Sequence, residues 1–541
     1  MSKKSFLQGA VVLGVAGLII KVMGAIFRIP LANIIGDTGM GYYQTAYPVY
    51  VLLLTLSTAG VPVAISRMVA ERNAVGDSYE AYRVFRISFG LLFTIGITSS
   101  AVLFFGAEII VNHLGNPGAK IAMMSIAPAL LFVPVMASFR GFFQGMQNMN
   151  PTAVSQVIEQ LFRVVVGLTF AVMLVDKGLE YAAAGASFGA TAGAIAGLIA
   201  VMGLFLLRKR TIDRGSPKAG KTRRESTGKI LLDILIIAVP ITIGAAIMPI
   251  MNTIDVAIVI KRLTLSGFTP DAANSLYGQL TGMAGPLINF PQVLTQAIAM
   301  SLVPAVAAAY KRKETEFLRY NVELGLRTAL ILGLPCALGL MILAEPIMLL
   351  LYPAQKASAI SAAPSLLILS FGVIFLATVQ TLTGVLQGIG RQLIPVRNLM
   401  IGALVKVMIT YHLTAVPSIN IRGAALGTVS AYIVASTLNL MAVQKYTGAK
   451  FNMSMTVIRP LFSGLIMGGG VYVSYRLLMV LFGAYIGSIN TVNALATAVS
   501  IVLGGIIYSI MLIITKAITL EELMVLPKGD KLAGIYARFK R

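Results

Sequence analysis

Apolar runs of roughly 20 residues recur along this chain from one end to the other, separated by short polar breaks. Each is long enough to cross a hydrocarbon core about 30 Å thick at about 1.5 Å per helical residue. Hydropathy places them at 6–35, 42–70, 87–111, 121–145, 152–175 and 181–207. After a basic break they resume at 230–260, 274–309, 320–351, 360–388, 395–415, 422–443, 456–482 and 490–516. The pattern predicts an all-α polytopic membrane protein of about fourteen transmembrane helices.

Composition agrees. Of 541 residues 57% are hydrophobic and 12% charged, with a mean hydropathy of +0.86. A soluble chain carries roughly a quarter charged residues. The first segment, Phe6–Ile20 behind Lys3 and Lys4, imitates a signal peptide but runs on through Lys21 and Arg28 without a small-residue cleavage site, so it is expected to stay as the first span. The net charge of +23 would suit a nucleic-acid binder, but the basic residues sit mostly in short loops between spans, which excludes that partner. Cys336 stands alone and excludes an intrachain disulfide, and His113 and His412 are too isolated to build a metal site. With no nucleophile–base pair, metal cluster or phosphate-binding glycine loop, neither an enzyme nor a cofactor is expected.

Loop charge orients the chain, because cytoplasmic loops are enriched in Lys and Arg. With the N-terminus inside, Arg83, Arg86, Arg208–Arg210, Lys311–Lys313 and the tail Lys528–Arg541 fall on the cytoplasmic side. Only Lys120, Lys177, Lys261, Arg262, Lys356 and Arg422 face outward. Both termini are therefore expected in the cytoplasm of a multi-pass plasma-membrane protein, with membrane lipids holding the basic linker at 208–229.

An internal repeat is written into the spans. Gly141-Phe142-Phe143-Gln144-Gly145 followed by Arg163 matches Gly384-Val385-Leu386-Gln387-Gly388 followed by Lys406. Gly185-Ala186-Ser187-Phe188-Gly189 matches Gly423-Ala424-Ala425-Leu426-Gly427. The chain thus reads as two related six-helix lobes, 1–207 and 230–450, around the linker, then two extra helices at 451–516 and a tail at 517–541. Each lobe has an even number of spans, so their symmetry axis is expected along the membrane normal.

Basic residues inside spans carry the candidate chemistry, since each costs about 2.5–3.5 kcal/mol at a helix centre unless it escapes to an interface or faces water. Arg67, Arg327, Arg459 and Lys516 lie near span ends, where snorkelling is expected. Lys21 and Arg28 are deeper and about 20° apart around one helix, so both suit a common lumen; snorkelling or a structural ion pair is the alternative. Arg163 has Glu159 one turn earlier, at ion-pair spacing. Lys406 is its repeat counterpart, and Asp255 is a deep acid available for coupling. A cationic lumen selects an anionic headgroup, because Arg and Lys are suited to phosphate.

Lys21-Val22-Met23-Gly24 through Arg28, Gly60-Val61-Pro62-Val63-Ala64-Ile65-Ser66-Arg67, Glu159-Gln160-Leu161-Phe162-Arg163, and Asn289-Phe290-Pro291 through Pro304 together resemble the polysaccharide-biosynthesis flippases. The chain looks like the stage V sporulation protein B group of the multidrug/oligosaccharidyl-lipid/polysaccharide exporter superfamily, which also holds the lipid II flippases. The resemblance implies alternating access by two lobes, with the last two helices forming a groove for a polyprenyl tail. It implies an undecaprenyl-pyrophosphate-linked peptidoglycan or polysaccharide precursor as substrate, and a coupling ion or the membrane potential as drive. It also makes Lys21 and Arg28 counterparts of the essential cations on the first helix of lipid II flippases. Those proteins place an Arg and a Glu before the Phe-Pro of the eighth span; here Pro286 and Asn289 stand there. A multidrug/cation antiporter of the same superfamily and a scaffold among cell-wall synthesis proteins are the competing readings. Antiporters usually have twelve spans and acidic cavities.

Overall fold

The computed structural model describes residues 3–214 and 225–518. Residues 215–224 of the expected 208–229 linker and nearly all of the 517–541 tail lie outside those residues; the start of the expected linker, to Arg214, is helical and continues α7. Among the described residues, helices alone form the regular structure, and the chain divides into two compact units, up to Gly282 and from Met283 on.

The first unit contains α1 (Lys3–Thr58), α2 (Val61–Ala74), α3 (Ser78–Leu114), α4 (Lys120–Ile126), α5 (Ala129–Gly145), α6 (Asn150–Leu174), α7 (Leu179–Arg214), α8 (Thr227–Leu265) and α9 (Pro270–Gly278). The second contains α10 (Gly285–Arg312), α11 (Thr315–Ile342), α12 (Ala344–Leu351), α13 (Lys356–Gly388), α14 (Leu393–Leu413), α15 (Arg422–Thr447), α16 (Arg459–Gly483) and α17 (Ile489–Ile514). Among the described residues, thirteen stretches are long and apolar enough to cross a membrane, and the first, Val12–Ala74, is 63 residues long. It breaks at Gly36, whose φ of 66° and ψ of −173° leave the helix, so this stretch supplies two spans. The expected count of fourteen follows. The spans predicted at 121–145 and 320–351 are each split in two, at Ala127-Pro128 and at Leu343.

Polar residues fix the helix starts. Asp77 accepts from Glu80 N at 3.0 Å, Ser226 from Lys229 N at 3.2 Å, and Thr269 from Ala272 N at 3.3 Å, with Pro270 following. Inside the bundle, glycine lets backbones meet, as small residues do where helices pack without a hydrophobic driving force. The repeat seen in the sequence is a repeat of these crossings. A Cβ on Gly141 of α5 would strike Pro62 of α2, and one on Gly384 of α13 would strike Ala299 of α10. Gly145 meets Ser66 and Val69 as Gly388 meets Val303 and Val306. Gly185 and Gly189 of α7 rest on Phe170 and Arg163 of α6, and Gly423 and Gly427 of α15 rest on Leu413 and Lys406 of α14. The two units are copies of one packing scheme.

In the second unit, α16 and α17 are joined to α11 and α12. Tyr508 donates to the Ile331 carbonyl at 2.9 Å and Asn493 to the Pro346 carbonyl at 3.1 Å. Glu323 of α11 accepts from Asn452 N at 3.2 Å, just before α16. One turn on, Arg327 is only 7% exposed. It does not snorkel as expected, because its helix packs Leu326 and Leu330 against Val457 and Leu461 at that level. Arg459 does reach the span end, where it donates to the Lys516 carbonyl at 2.9 Å.

A candidate anion site in the first unit

Ser155, Glu159 and Arg163 stand on one face of α6, four residues apart, and α5 brings Arg140 alongside. The Glu159 carboxylate is divided between two cations: Oε2 accepts from Arg140 Nη2 at 3.0 Å and Oε1 from Arg163 Nη2 at 3.3 Å. Arg140 Nε donates to Ser155 Oγ at 2.9 Å, which fixes its fork. Room for these side chains comes from α7, where Gly193 lies on the Glu159 carbonyl and Gly197 on its Cβ. Two guanidiniums and one carboxylate leave one positive charge. The three side chains are 12–15% exposed, and a guanidinium held at that depth cannot spend its exposed part on lipid.

The second half of α1 lies beside the same cluster. Tyr43, Tyr47 and Tyr50 form a ring ladder, with Tyr43 and Tyr47 stacked at 5.6 Å and Tyr47 and Tyr50 tilted at 6.0 Å. Tyr43, Tyr47 and Tyr50 all lie within electrostatic reach of Arg163. Arg28 acts on Tyr43 as well, and Phe27 joins the ladder at 6.1 Å. The first half of α1 is seated against α6, with Gly24 near Gln160 and Phe27 against Gly167.

Of the residues singled out in the sequence, Arg28, Glu159 and Arg163 therefore come together. Lys21 is exposed two turns along α1, and Asp255 on α8 lies within reach of Tyr277. Lys406 belongs to the second unit and is partly buried on α14. At the place where Arg140 and Ser155 stand in the first unit, the second has Thr383 and Asn398, joined through Asn439 by bonds of 2.9 and 3.5 Å. That counterpart is neutral. Arg140 is the residue sequence reasoning missed, although it directly precedes the Gly141–Gly145 motif and is a charge inside an apolar span. Its acid is on another helix, where ion-pair spacing along one helix cannot find it. Among the described residues, no group of acids, His and Cys could hold a metal ion.

A chain of fourteen membrane-length helical spans with buried cations fits a class, the membrane transporters and flippases of the multidrug/oligosaccharidyl-lipid/polysaccharide exporter superfamily. The chain matches the family described as Polysaccharide biosynthesis protein over residues 6–310, and the MatE family over residues 280–412. It belongs to the polysaccharide biosynthesis protein family. Stage V sporulation protein B of Bacillus subtilis (strain 168) is 29% identical over 82% of this chain and 85% of that protein. The lipid II flippase MurJ of the same organism is 27% identical over 94% of this chain and 95% of its own length. Among solved structures, lipid II flippase MurJ in an inward closed conformation shares the fold with a TM-score of 0.69 at 15% identity, covering 93% of this chain and 98% of that one. An inward-facing multidrug resistance MATE transporter has a TM-score of 0.66 at 16% identity, covering 79% and 94%.

Proposed function

We propose that this protein is a flippase that carries an undecaprenyl-pyrophosphate-linked peptidoglycan or polysaccharide precursor from the cytoplasmic to the outer leaflet of a bacterial plasma membrane by alternating access. The observation that carries this reading is the net positive Arg140–Glu159–Arg163 cluster beneath Arg28. A pyrophosphate is the anion that such paired guanidiniums suit. Lys21 and Arg28 on α1, Arg163 on α6 and Lys406 on α14 hold the headgroup. Glu159 holds the empty site together, and Asp255 serves the coupling ion or responds to the potential, which is worth about 2.3 kcal/mol per charge per 100 mV. In this reading 1–207 and 230–450 are the moving lobes, 208–229 is a cytoplasmic linker on anionic lipid, and 451–516 holds the polyprenyl tail. The 517–541 tail and the N-terminus are cytoplasmic.

Likeness to MATE transporters raises a second reading, export of organic cations. The positive cluster opposes it, because a cationic drug entering there meets an unneutralised charge. Lys21→Ala and Arg28→Ala separate the two. Either change should abolish complementation of a flippase-depleted strain at normal protein level, and leave drug tolerance unchanged. Full complementation by both variants would sink the headgroup assignment.

A further inference from the structure

Two hydrogen-bonding groups at the anion site are left over by the fold. Arg163 Nε is buried and makes no hydrogen bond, although the same guanidinium reaches Glu159 through Nη2. The hydroxyl of Tyr50 is likewise buried without a partner, on a side chain that is 1% exposed and within electrostatic reach of both Arg163 and Glu159. Folded chains rarely bury polar groups unpaired, and where they do the group serves something besides packing. Leucine or phenylalanine at position 50 would fill the same space without that cost.

We infer that Tyr50 Oη and Arg163 Nε form an internal oxyanion subsite that takes one phosphate oxygen of the transported headgroup. This deepens the proposed function and rests on it for the identity of the cargo. Both groups are donors, and Arg163 supplies charge that Glu159 does not cancel because Arg140 shares that carboxylate. A phenol and a guanidinium edge therefore offer an anion two donors, whereas an organic cation meets the positive charge of Arg163. Tyr47 is half-buried beside Tyr50, and Arg163 keeps an exposed part, so the oxygen enters along that edge. The break at Gly36 lies between Arg28 and the ladder, so bending there changes the distance between the outer cation and the inner subsite. Arg140 is then a positioning residue: it holds Glu159 so that Arg163 stays free to bind.

Tyr50→Phe removes one oxygen and nothing else. Full-length wild type and variant would be placed in nanodiscs of zwitterionic lipid, and their apparent Tm and affinity measured with three probes: lipid II, inorganic pyrophosphate and phosphatidylglycerol. The expected result is a variant with a higher Tm when empty, since an unpaired buried hydroxyl is gone, and about tenfold weaker binding of lipid II and pyrophosphate. Arg163→Lys, which keeps the charge and loses Nε, should weaken binding in the same way. Binding by Tyr50→Phe equal to wild type for every probe would overturn the subsite, as would the absence of any binding by wild type. A loss confined to phosphatidylglycerol and pyrophosphate would keep the oxyanion subsite and refute the glycan-lipid cargo, so the two assignments fail separately.

Discussion

Glu159 is one carboxylate bound by two guanidiniums, and the two bonds are not equal. Arg140 is nearer, at 3.0 against 3.3 Å, and is braced by Ser155. A double-mutant cycle of Arg140→Gln with Glu159→Gln should give a coupling of about 1–3 kcal/mol in unfolding free energy, larger than the cycle of Arg163→Gln with Glu159→Gln. The reverse order would mean that Arg163, not Arg140, is the structural partner. The sequence pairs Glu159 with Arg163 correctly, since both lie on one helix turn. It does not reveal that the pair is a triad, and the difference changes what an exchange of the two residues would do. An arginine at 159 would face Arg140, so swapping 159 and 163 does not restore the original charges. Arg28 could be singled out from its position alone, and the fold brings it within electrostatic reach of Tyr43. The Tyr43–Tyr50 ladder was not, because aromatic residues at helical spacing look the same whether they fill a core or face a ligand.

Charged side chains hold helix ends in this protein as well as the α5–α6 interior. Arg72 at the end of α2 pairs with Glu225 just before α8, and Lys229 joins the same carboxylate at 3.1 Å. The strap borders a cavity of about 540 Å³ into which Glu71, Asp77 and Asp233 also face. The hydrogen bond from Lys229 and the one from Arg72 hold the Glu225 carboxyl below the usual glutamate range, against the opposite pull of burial. A carboxyl depressed by folding lends stability that is complete above its unfolded pKa of about 4.3 and lost as pH falls through the folded value. A spin label on Gly228→Cys in a Cys336→Ala background should keep constant mobility from about pH 8 to 5, and loosen only below about pH 4. Arg72→Ala should raise its mobility at every pH; loosening already at pH 6 in the parent would exclude Glu225 as the anchor. Breaks inside helices were less legible than ends. Gly36 precedes Asp37 and Thr38 in an otherwise apolar run and could be read as a turn. The π-helical turn Gln279–Ala284 carries no such mark, since Tyr277, Leu280 and Met283 continue the apolar pattern through it.

At the scale of the whole chain, the sequence disclosed most, because the bilayer reduces the choice to spans and their order. Fourteen spans, two related halves and an added pair are all visible as hydropathy and as repeated glycine motifs. Those motifs proved to be crossings whose geometry recurs in each unit, with one exchange. On α6 and α7 the residue without a side chain is Gly193, which meets the Glu159 carbonyl; on α14 and α15 it is Gly402, which meets the Ala431 carbonyl at 2.6 Å. Gly193→Ala and Gly402→Ala should each lower the apparent Tm, by overpacking of about 1–3 kcal/mol. Gly244→Ala, in open space on α8, should leave it unchanged or raise it slightly. Equal tolerance of all three would show that the crossings are not tight.

That exchange bears on how a duplicated protein can become asymmetric. A close crossing needs relief on one of its two helices, and whichever helix gives it loses a position for chemistry. In the first unit α7 makes the concession, which leaves position 159 of α6 able to carry an acid. In the second, α14 makes it, and position 402 is closed to any side chain. The Arg140–Glu159–Arg163 triad is thus an option open to one half and barred to the other by the location of a missing methyl group.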